Sequence, residues 1–576
     1  MQATGSAFAP LAGAARLAGR LSPFNVVVTL LILLTLALVV YPVGGILLRA
    51  FVIDGRIGLS GFTAAVTNPD LLAALLNTVV LVAVSGTLAL FVGAAFAWLN
   101  ERTDASTGWT ADILPLIPLL VPQIAGVTGW VMLLAPKAGV LNGLLRGLLD
   151  AVGVPMREGP LDIYTYPGLV IITALYLVPY VYLIVSAALR NLNPYFEEAA
   201  RMNGAGPMKT LFVVTLPAIR PALLASALIL VMLGFAFFSV PMIIGTGAGI
   251  EVLSVKAYRL LYNYPPKTDL AIMLSIFMMI IVQGALLLQA WIVRSGRFAT
   301  IGGKGAPASR IRLGRWRWLA QGTMVAYVLA TAVIPVVGLV IVSLQPFWTP
   351  RVVWSQLSFH NYHFVLFEND MTTQALVNSL SLGAVGATIG MFVAAVLALA
   401  AHNSGGRLRA VIDAVATLPA AIPHTVIGVG FLVSFSQGWL NLYGTLTILL
   451  LAYLVMFLPQ ATRSASSAVS QVGRELIEAA QVFRTPPGRT FLRILLPLML
   501  PGLAAGWIIL FVQMSGDLTA SVLLGGTNNP VIGQTLLDLW ENGSFPQLAA
   551  LAVIITVLDC AVVLLVLRYF RGSLQN

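Results

Sequence analysis

Apolar residues run almost from end to end of the chain, in long blocks separated by short polar segments. A helix that crosses the hydrocarbon core needs about 20 predominantly apolar residues. On that rule the first half predicts spans at 24–50, 74–99, 113–135, 166–189, 217–240 and 270–293. The second half predicts spans at 317–344, 375–401, 411–436, 443–462, 497–520 and 547–568. Runs such as VVVTLLILLTLALVV, from Val26, do not alternate in period two as the strands of a membrane barrel would. The expected fold is therefore all-α and polytopic, with about 12 transmembrane helices in two six-helix halves.

Composition excludes the other classes. Of 576 residues, 59% are hydrophobic and 9% are charged, against about 25% charged in a soluble domain. A soluble globule or a disordered chain would need far more charge. The single Cys560 rules out an intramolecular disulfide, and with four His it leaves little material for a protein-only zinc or iron–sulfur site.

The charges are sorted along the chain. With the N-terminus inside, the inner segments hold 23 basic and eight acidic residues, and the outer segments hold eight basic and eleven acidic. That asymmetry orients both termini to the cytoplasm. The net +11 is then a topogenic signal, and no nucleic-acid partner is implied. Arg16 and Arg20 precede an apolar run as in a signal peptide, but Phe24–Leu48 is too long for a cleaved segment and is expected as the retained first helix. The expected organisation is a cytoplasmic segment 1–23, a first half 24–293, a basic cytoplasmic linker 294–316, a second half 317–570 and a tail 571–576. Arg294 to Arg317 carries seven basic residues and no acidic ones, which suits topology and lipid headgroups.

The halves repeat each other. Asn77-Thr and Asn378-Ser open spans two and eight, and Pro118-Leu-Leu-Val-Pro122 recurs as Pro419-Ala-Ala-Ile-Pro423. Gln123 and His424 follow these segments. Farther on, Pro179, Glu198, Pro207, Leu216, Pro217 and Pro221 meet Pro459, Glu478, Pro487, Leu496, Pro497 and Pro501. The spacing changes by the length of a longer outer segment in the first half, at about 136–165. Each half starts inside and crosses six times, so the repeat is parallel and a central pathway between the halves is expected.

Two matched loops, 193–217 and 470–497, face inside on this topology. The first reads NPYFEEAARMNGAGPMKTLFVVTLPAIRPA from Asn193, a pattern for a short helix capped by Asn193, stopped at Gly204 and Gly206, and followed by another from Pro207. The second reads SQVGRELIEAAQVFRTPPGRTFLRILLPLMLP from Ser470, with its break at Thr485 and Pro486. Both resemble the EAA loop of the membrane subunits of bacterial binding-protein-dependent ABC importers, whose pattern is E-A-A, three residues, G, and a later L-P pair. The first copy has Glu198-Ala199-Ala200, Gly204 and Leu216-Pro217. The second has Glu478-Ala479-Ala480 and Leu496-Pro497 at the same spacing, with Arg484 in place of the glycine. The resemblance covers nearly the whole chain, in the arrangement where two permease halves are fused, as in iron(III), thiamine and 2-aminoethylphosphonate importers.

The resemblance implies that the loops, including Glu197 and Glu198, dock on a cytoplasmic ATPase in two copies. It also implies a periplasmic solute-binding protein, a place in the bacterial inner membrane among lipids, and no cofactor on this chain, since ATP and Mg2+ would act on the ATPase. The residues agree: no G-x-x-x-x-G-K-[ST] phosphate loop occurs, and GGKG at Gly302 lacks the spacing. Iron(III) is the first substrate expectation, with a phosphonate, thiamine or a polyamine open.

Few residues are left for a pathway. Asp517, with Gln513 and Ser515, is a carboxylate at membrane depth that either lines the pathway or caps a break in span eleven. Gln123 and His424 either line a gate or pack as a satisfied pair, and Asp559 is expected to pack between helices. His360 and His363 are too few for a metal site. An ion-coupled transporter of two six-helix halves would need coupling residues in its spans and has only Asp517 and Asp559. Its usual G-x-x-x-D-R-x-G-R-R-like loop is absent from NERTDASTGWTAD, from Asn100. A membrane enzyme would need clustered carboxylates or His near the interface, and none occurs.

Overall fold

The computed structural model describes residues 23–53, 56–58, 60–106, 117–118, 121–295, 310–436, 441–470, 482–483, 485 and 487–571. The first half contains α1 (Pro23–Phe51), α2 (Pro69–Arg102), α3 (Gln123–Leu134), α4 (Tyr166–Asn191), α5 (Tyr195–Met202), α6 (Arg220–Ala236), α7 (Leu253–Tyr262) and α8 (Thr268–Ser295). The second contains α9 (Trp316–Ser343), α10 (Asp370–Asn403), α11 (His424–Phe435) and α12 (Leu446–Ser470). It continues with α13 (Leu496–Ser515), α14 (Thr519–Leu524), α15 (Ile532–Glu541) and α16 (Phe545–Arg571). Among the described residues nine helices are long and apolar enough to cross a membrane, and two bent pairs raise the number to eleven. The short apolar α3 stands in the remaining predicted span.

Three spans expected as continuous helices are broken, each at helix-breaking residues. In 411–436 the chain bends by 93° before α11, where Pro419 and Pro423 remove backbone donors and crowd the preceding turn. The region before α6 bends by 69° around Pro217 and Pro221, and α6 itself stops at Ala236. The span 497–520 ends as a helix at Ser515 and restarts at Thr519. In 113–135 the described helix is α3, which begins directly after Pro122.

The repeat is visible in detail. α2 and α10 are each 34 residues long, and each is capped by an asparagine. Asn68 Oδ1 accepts from Asp70 and Leu71 N–H, and Asn369 Oδ1 from Met371 and Thr372 N–H. A π turn precedes the Leu-Pro pair in both halves, at Leu211–Thr215 and Phe491–Leu495. The Asn-Thr and Asn-Ser pairs have matching tasks. Asn77 Nδ2 donates to Glu251 O at 3.1 Å, and Thr78 Oγ1 accepts from Leu253 N–H at 2.9 Å. Asn378 Nδ2 donates to Pro530 O at 2.9 Å, and Ser379 Oγ accepts from Ile532 N–H at 2.8 Å. Thr78 and Ser379 thus cap α7 and α15 from another helix, where neither has a side-chain cap of its own.

The halves exchange their first helices. α1 packs on α11, and the end of α9 packs on α3. Tyr41 Oη donates to Ser434 O, and Trp348 Nε1 to Met132 O. α2 packs along α4, and α10 along α12 and α13. Side chains such as Leu30, Leu76, Phe91, Leu287 and Leu565 stay exposed on the outside, as lipid-facing residues must. α8 runs to Ser295, two residues into the linker expected at 294–316. The far end of that linker, at Ile311, lies parallel to Thr103 beside the end of α2.

Candidate functional site

The breaks in the helices meet. Around them lies a cavity of about 140 Å3, lined by residues from both halves. Pro122 and Gln123 open α3, His424 opens α11, and Gln513, Gly516 and Asp517 lie at the end of α13. Tyr176 and Tyr180 of α4, Gln460 of α12, Ser239 and Thr519 add to its polar lining. Gln123, His424, Gln513 and Asp517, singled out from sequence, are therefore brought together. Tyr176, Tyr180 and Gln460 were missed because an isolated polar residue in an apolar helix has no periodic signature. The spacing of the repeat would have found two of them, since Tyr180 and Gln460 occupy matching places one residue after Pro179 and Pro459.

The lining is asymmetric. Where the second half places Gln513 and Asp517, the matching residues of the first are Leu233 and Phe237. Asp517 is the one charged side chain, with His neutral, among the lining residues. Its Oδ2 accepts from Ala520 N–H at 2.7 Å, so it also caps α14. Asp517 thus sits at the break in span eleven and lines the cavity as well. Among the described residues, Tyr176 Oη and the side-chain oxygens of Gln460 and Gln513 have no hydrogen-bond partner. Buried polar atoms without partners are uncommon, and here they surround a cavity. α3 and α11 also begin without side-chain caps, behind prolines. Their positive ends stand at the cavity. The His424 ring bonds the backbone of Met456 and packs edge-on against Phe457, with centroids 5.4 Å apart.

Ser515 departs from the expectation. It is buried and turned away from the cavity, with its Oγ 3.0 Å and 3.2 Å from the two oxygens of Asp559. On α13 it lies two residues from Gln513, so the two side chains leave the helix in different directions. Asp559 is packed between helices, as the sequence suggested, and is fully buried.

The first matched loop has the predicted form. Asn193 Oδ1 accepts from Tyr195 N–H at the start of α5. Gly204 ends the turn at φ +82°, a left-handed conformation that glycine adopts without a Cβ clash. Gly206 caps the short helix Pro207–Thr210 from an extended conformation. Ala199, Gly204 and Gly206 are exposed, and Glu198 and Ala200 are half-buried. Glu197 turns inward and is 5% exposed. Around the loop, Phe196, Met202, Met208, Phe212 and Val213 present apolar side chains to the outside. Glu478, Ala479, Ala480 and Arg484 of the second loop lie outside the described residues, although Val482 and Phe483 beside them are exposed.

Comparison with known proteins agrees with this arrangement. Residues 85–297 and 386–575 each match the family described as "binding-protein-dependent transport system inner membrane component". A ferric transport system permease protein of Actinobacillus pleuropneumoniae is 22% identical over 544 residues, covering 93% of this chain and 76% of that protein. An Fe(3+)-transport system permease of Haemophilus influenzae is 24% identical over 527 residues, covering 91% of this chain and 93% of that one. A putative 2-aminoethylphosphonate transport system permease of Salmonella paratyphi A is 26% identical over 250 residues, which is 42% of this chain and 92% of that protein. The two matched segments decide against the ion-coupled alternative. The chain belongs to the family of inner-membrane components of binding-protein-dependent transport systems and is the permease of an ABC importer, with two family domains fused in one multi-pass polypeptide.

Proposed function

We propose that this permease carries iron(III), delivered by a periplasmic binding protein, through the cavity between its halves. A separate cytoplasmic ATPase, in two copies, docks on the loops 193–217 and 470–497 and supplies the energy. Both termini then face the cytoplasm, as the basic inner segments require. The observation that carries the docking reading is the α5 loop: a half-buried Glu198 on a short helix, rimmed by exposed Phe196, Met202 and Phe212. An apolar patch of this kind around a short helix fits the groove of a partner protein.

Iron(III) is favoured by the ferric permeases that match over nine-tenths of the chain. The cavity supports it. Its charged group is the carboxylate of Asp517, and the side-chain oxygens of Gln460 and Gln513 and the Tyr176 hydroxyl have no other partner. Hard cations prefer such oxygen donors. A second reading has its own support. The uncapped N-termini of α3 and α11 stand at the same cavity, and such ends favour an anion such as a phosphonate.

The deciding experiment is uptake into proteoliposomes holding the permease, its ATPase and its binding protein. Radioactive iron(III) accumulates with ATP on the first reading, and 2-aminoethylphosphonate on the second. Accumulation of neither sinks both. Copurification with the ATPase tests docking, and loss of both Glu198 and Glu478 should abolish it.

A further inference from the structure

Arg102 closes α2, and its guanidinium is buried beside α5. Its Nε stands 2.8 Å from Glu197 Oε2, with the two side chains 6% and 7% exposed. Glu197 Oε1 accepts a hydrogen bond from the Thr215 hydroxyl at 2.6 Å. Arg102 Nη2 donates to Leu189 O at 2.7 Å and Leu192 O at 3.2 Å, at the end of α4. One side-chain cluster therefore joins α2, α4, α5 and the π turn that leads toward α6.

The backbone at the same place reaches the linker that leads into the second half. Ile311 N–H donates to Arg102 O at 2.9 Å, and Asp104 N–H to Ile311 O at 3.0 Å. Leu313 N–H donates to Asp104 Oδ1 at 3.0 Å. The chain entering α9 is thus stitched to the turn that holds Glu197.

The repeat does not carry these residue types into the second half. The positions that match Arg102, Glu197 and Thr215 are Asn403, Ile477 and Leu495. Nor does the E-A-A pattern account for Glu197, since its glutamate is Glu198.

We propose that Arg102 and Glu197 are positioning residues that lock the first coupling loop to α2 and to the lead-in of α9, making this loop a rigid lever. Movement imposed on α5 passes through the locked cluster to the bundle. The inference rests on the reading of the α5 loop as the ATPase contact.

The test uses the complete importer in proteoliposomes and reads solute moved per ATP hydrolysed. The solute is iron(III) or 2-aminoethylphosphonate, whichever the unaltered importer accumulates. Glu197→Gln keeps the shape and removes the ion pair, and the ratio is expected to fall at least threefold. Thr215→Val removes one hydrogen bond and should lower the ratio less, in the same direction. A ratio unchanged in Glu197→Gln overturns the lock. If that variant fails to fold, an unchanged ratio in Thr215→Val does so instead. The double variant Glu198→Ala/Glu478→Ala tests the underlying reading separately: full association with the ATPase in that variant removes the docking surface, whatever Glu197→Gln does to the ratio.

Discussion

Gly129 of α3 lies directly against Pro335 of α9, and a Cβ at this glycine would stand 2.3 Å from the Pro335 carbonyl oxygen. The matching Gly430 of α11 faces Pro42 of α1, where a Cβ would stand 3.1 Å from the nearest atom. Each glycine thus lets the exchanged first helix of one half approach the short helix of the other. In a membrane this closeness matters, because helices associate there by packing and not by the hydrophobic effect.

Gly129→Ala should therefore destabilise the permease by about 1–3 kcal/mol, the usual cost of an overpacked contact. Gly430→Ala meets a looser contact and should cost less. Thermal unfolding in detergent checks both. Equal melting temperatures for the two variants would contradict the difference in contact.

The caps supplied across the fold should behave as a pair. Thr78→Val removes the acceptor for Leu253 N–H, and Ser379→Ala removes that for Ile532 N–H. Each should cost about 0.5–2 kcal/mol, as for an ordinary N-cap. Hydrogen exchange should rise at the first turns of α7 and α15 respectively, with little change in the other half.

Glu251, just before α7, is held by Lys256 at 2.6 Å and by Arg259. Burial alone would raise its pKa, but the hydrogen bonds and charges of these two groups outweigh burial and hold the carboxyl below its usual range. A lowered pKa in the folded state gives stability that is full above the unfolded value and is lost as pH falls through the folded one. The permease should therefore lose stability on acidification below the ordinary carboxylate range. Glu251→Gln should be less stable at neutral pH and should lack that part of the acid slope. Unfolding followed between neutral and acid pH would detect both effects.

Much of this was legible in the sequence, and the misses have physical causes. Apolar length and the offsets of the repeat identified the spans, because both record a requirement of the bilayer and of duplication. The positions of the breaks are harder to read: Pro419 and Pro423 stand out as a repeat signal, yet a hydropathy window averages over the bend they cause. Side-chain direction is harder still. Ser515 and Gln513 look alike in sequence, but one binds Asp559 and the other lines the cavity. Glu197 and Glu198 are neighbours, and only packing distinguishes the buried partner of Arg102 from the half-buried motif residue.

Asp517 separates a structural role from a pathway role in one substitution. Its carboxylate caps α14 through Ala520 N–H and also lines the cavity. Asparagine caps about as well as aspartate, so Asp517→Asn should change stability by only a few tenths of a kcal/mol while removing the charge. Asp517→Ala removes the cap as well and should cost about 1 kcal/mol. If a cation passes this carboxylate, uptake in Asp517→Asn should fall about tenfold or more at unchanged protein level, through lost stabilisation of the passing charge. If an anion passes between the helix N-termini, the same variant should transport as well as the unaltered permease or better, because a repulsive charge has gone. Uptake of iron(III) and of 2-aminoethylphosphonate in the two variants, set beside their melting temperatures, tells whether the carboxylate serves the solute or only the turn.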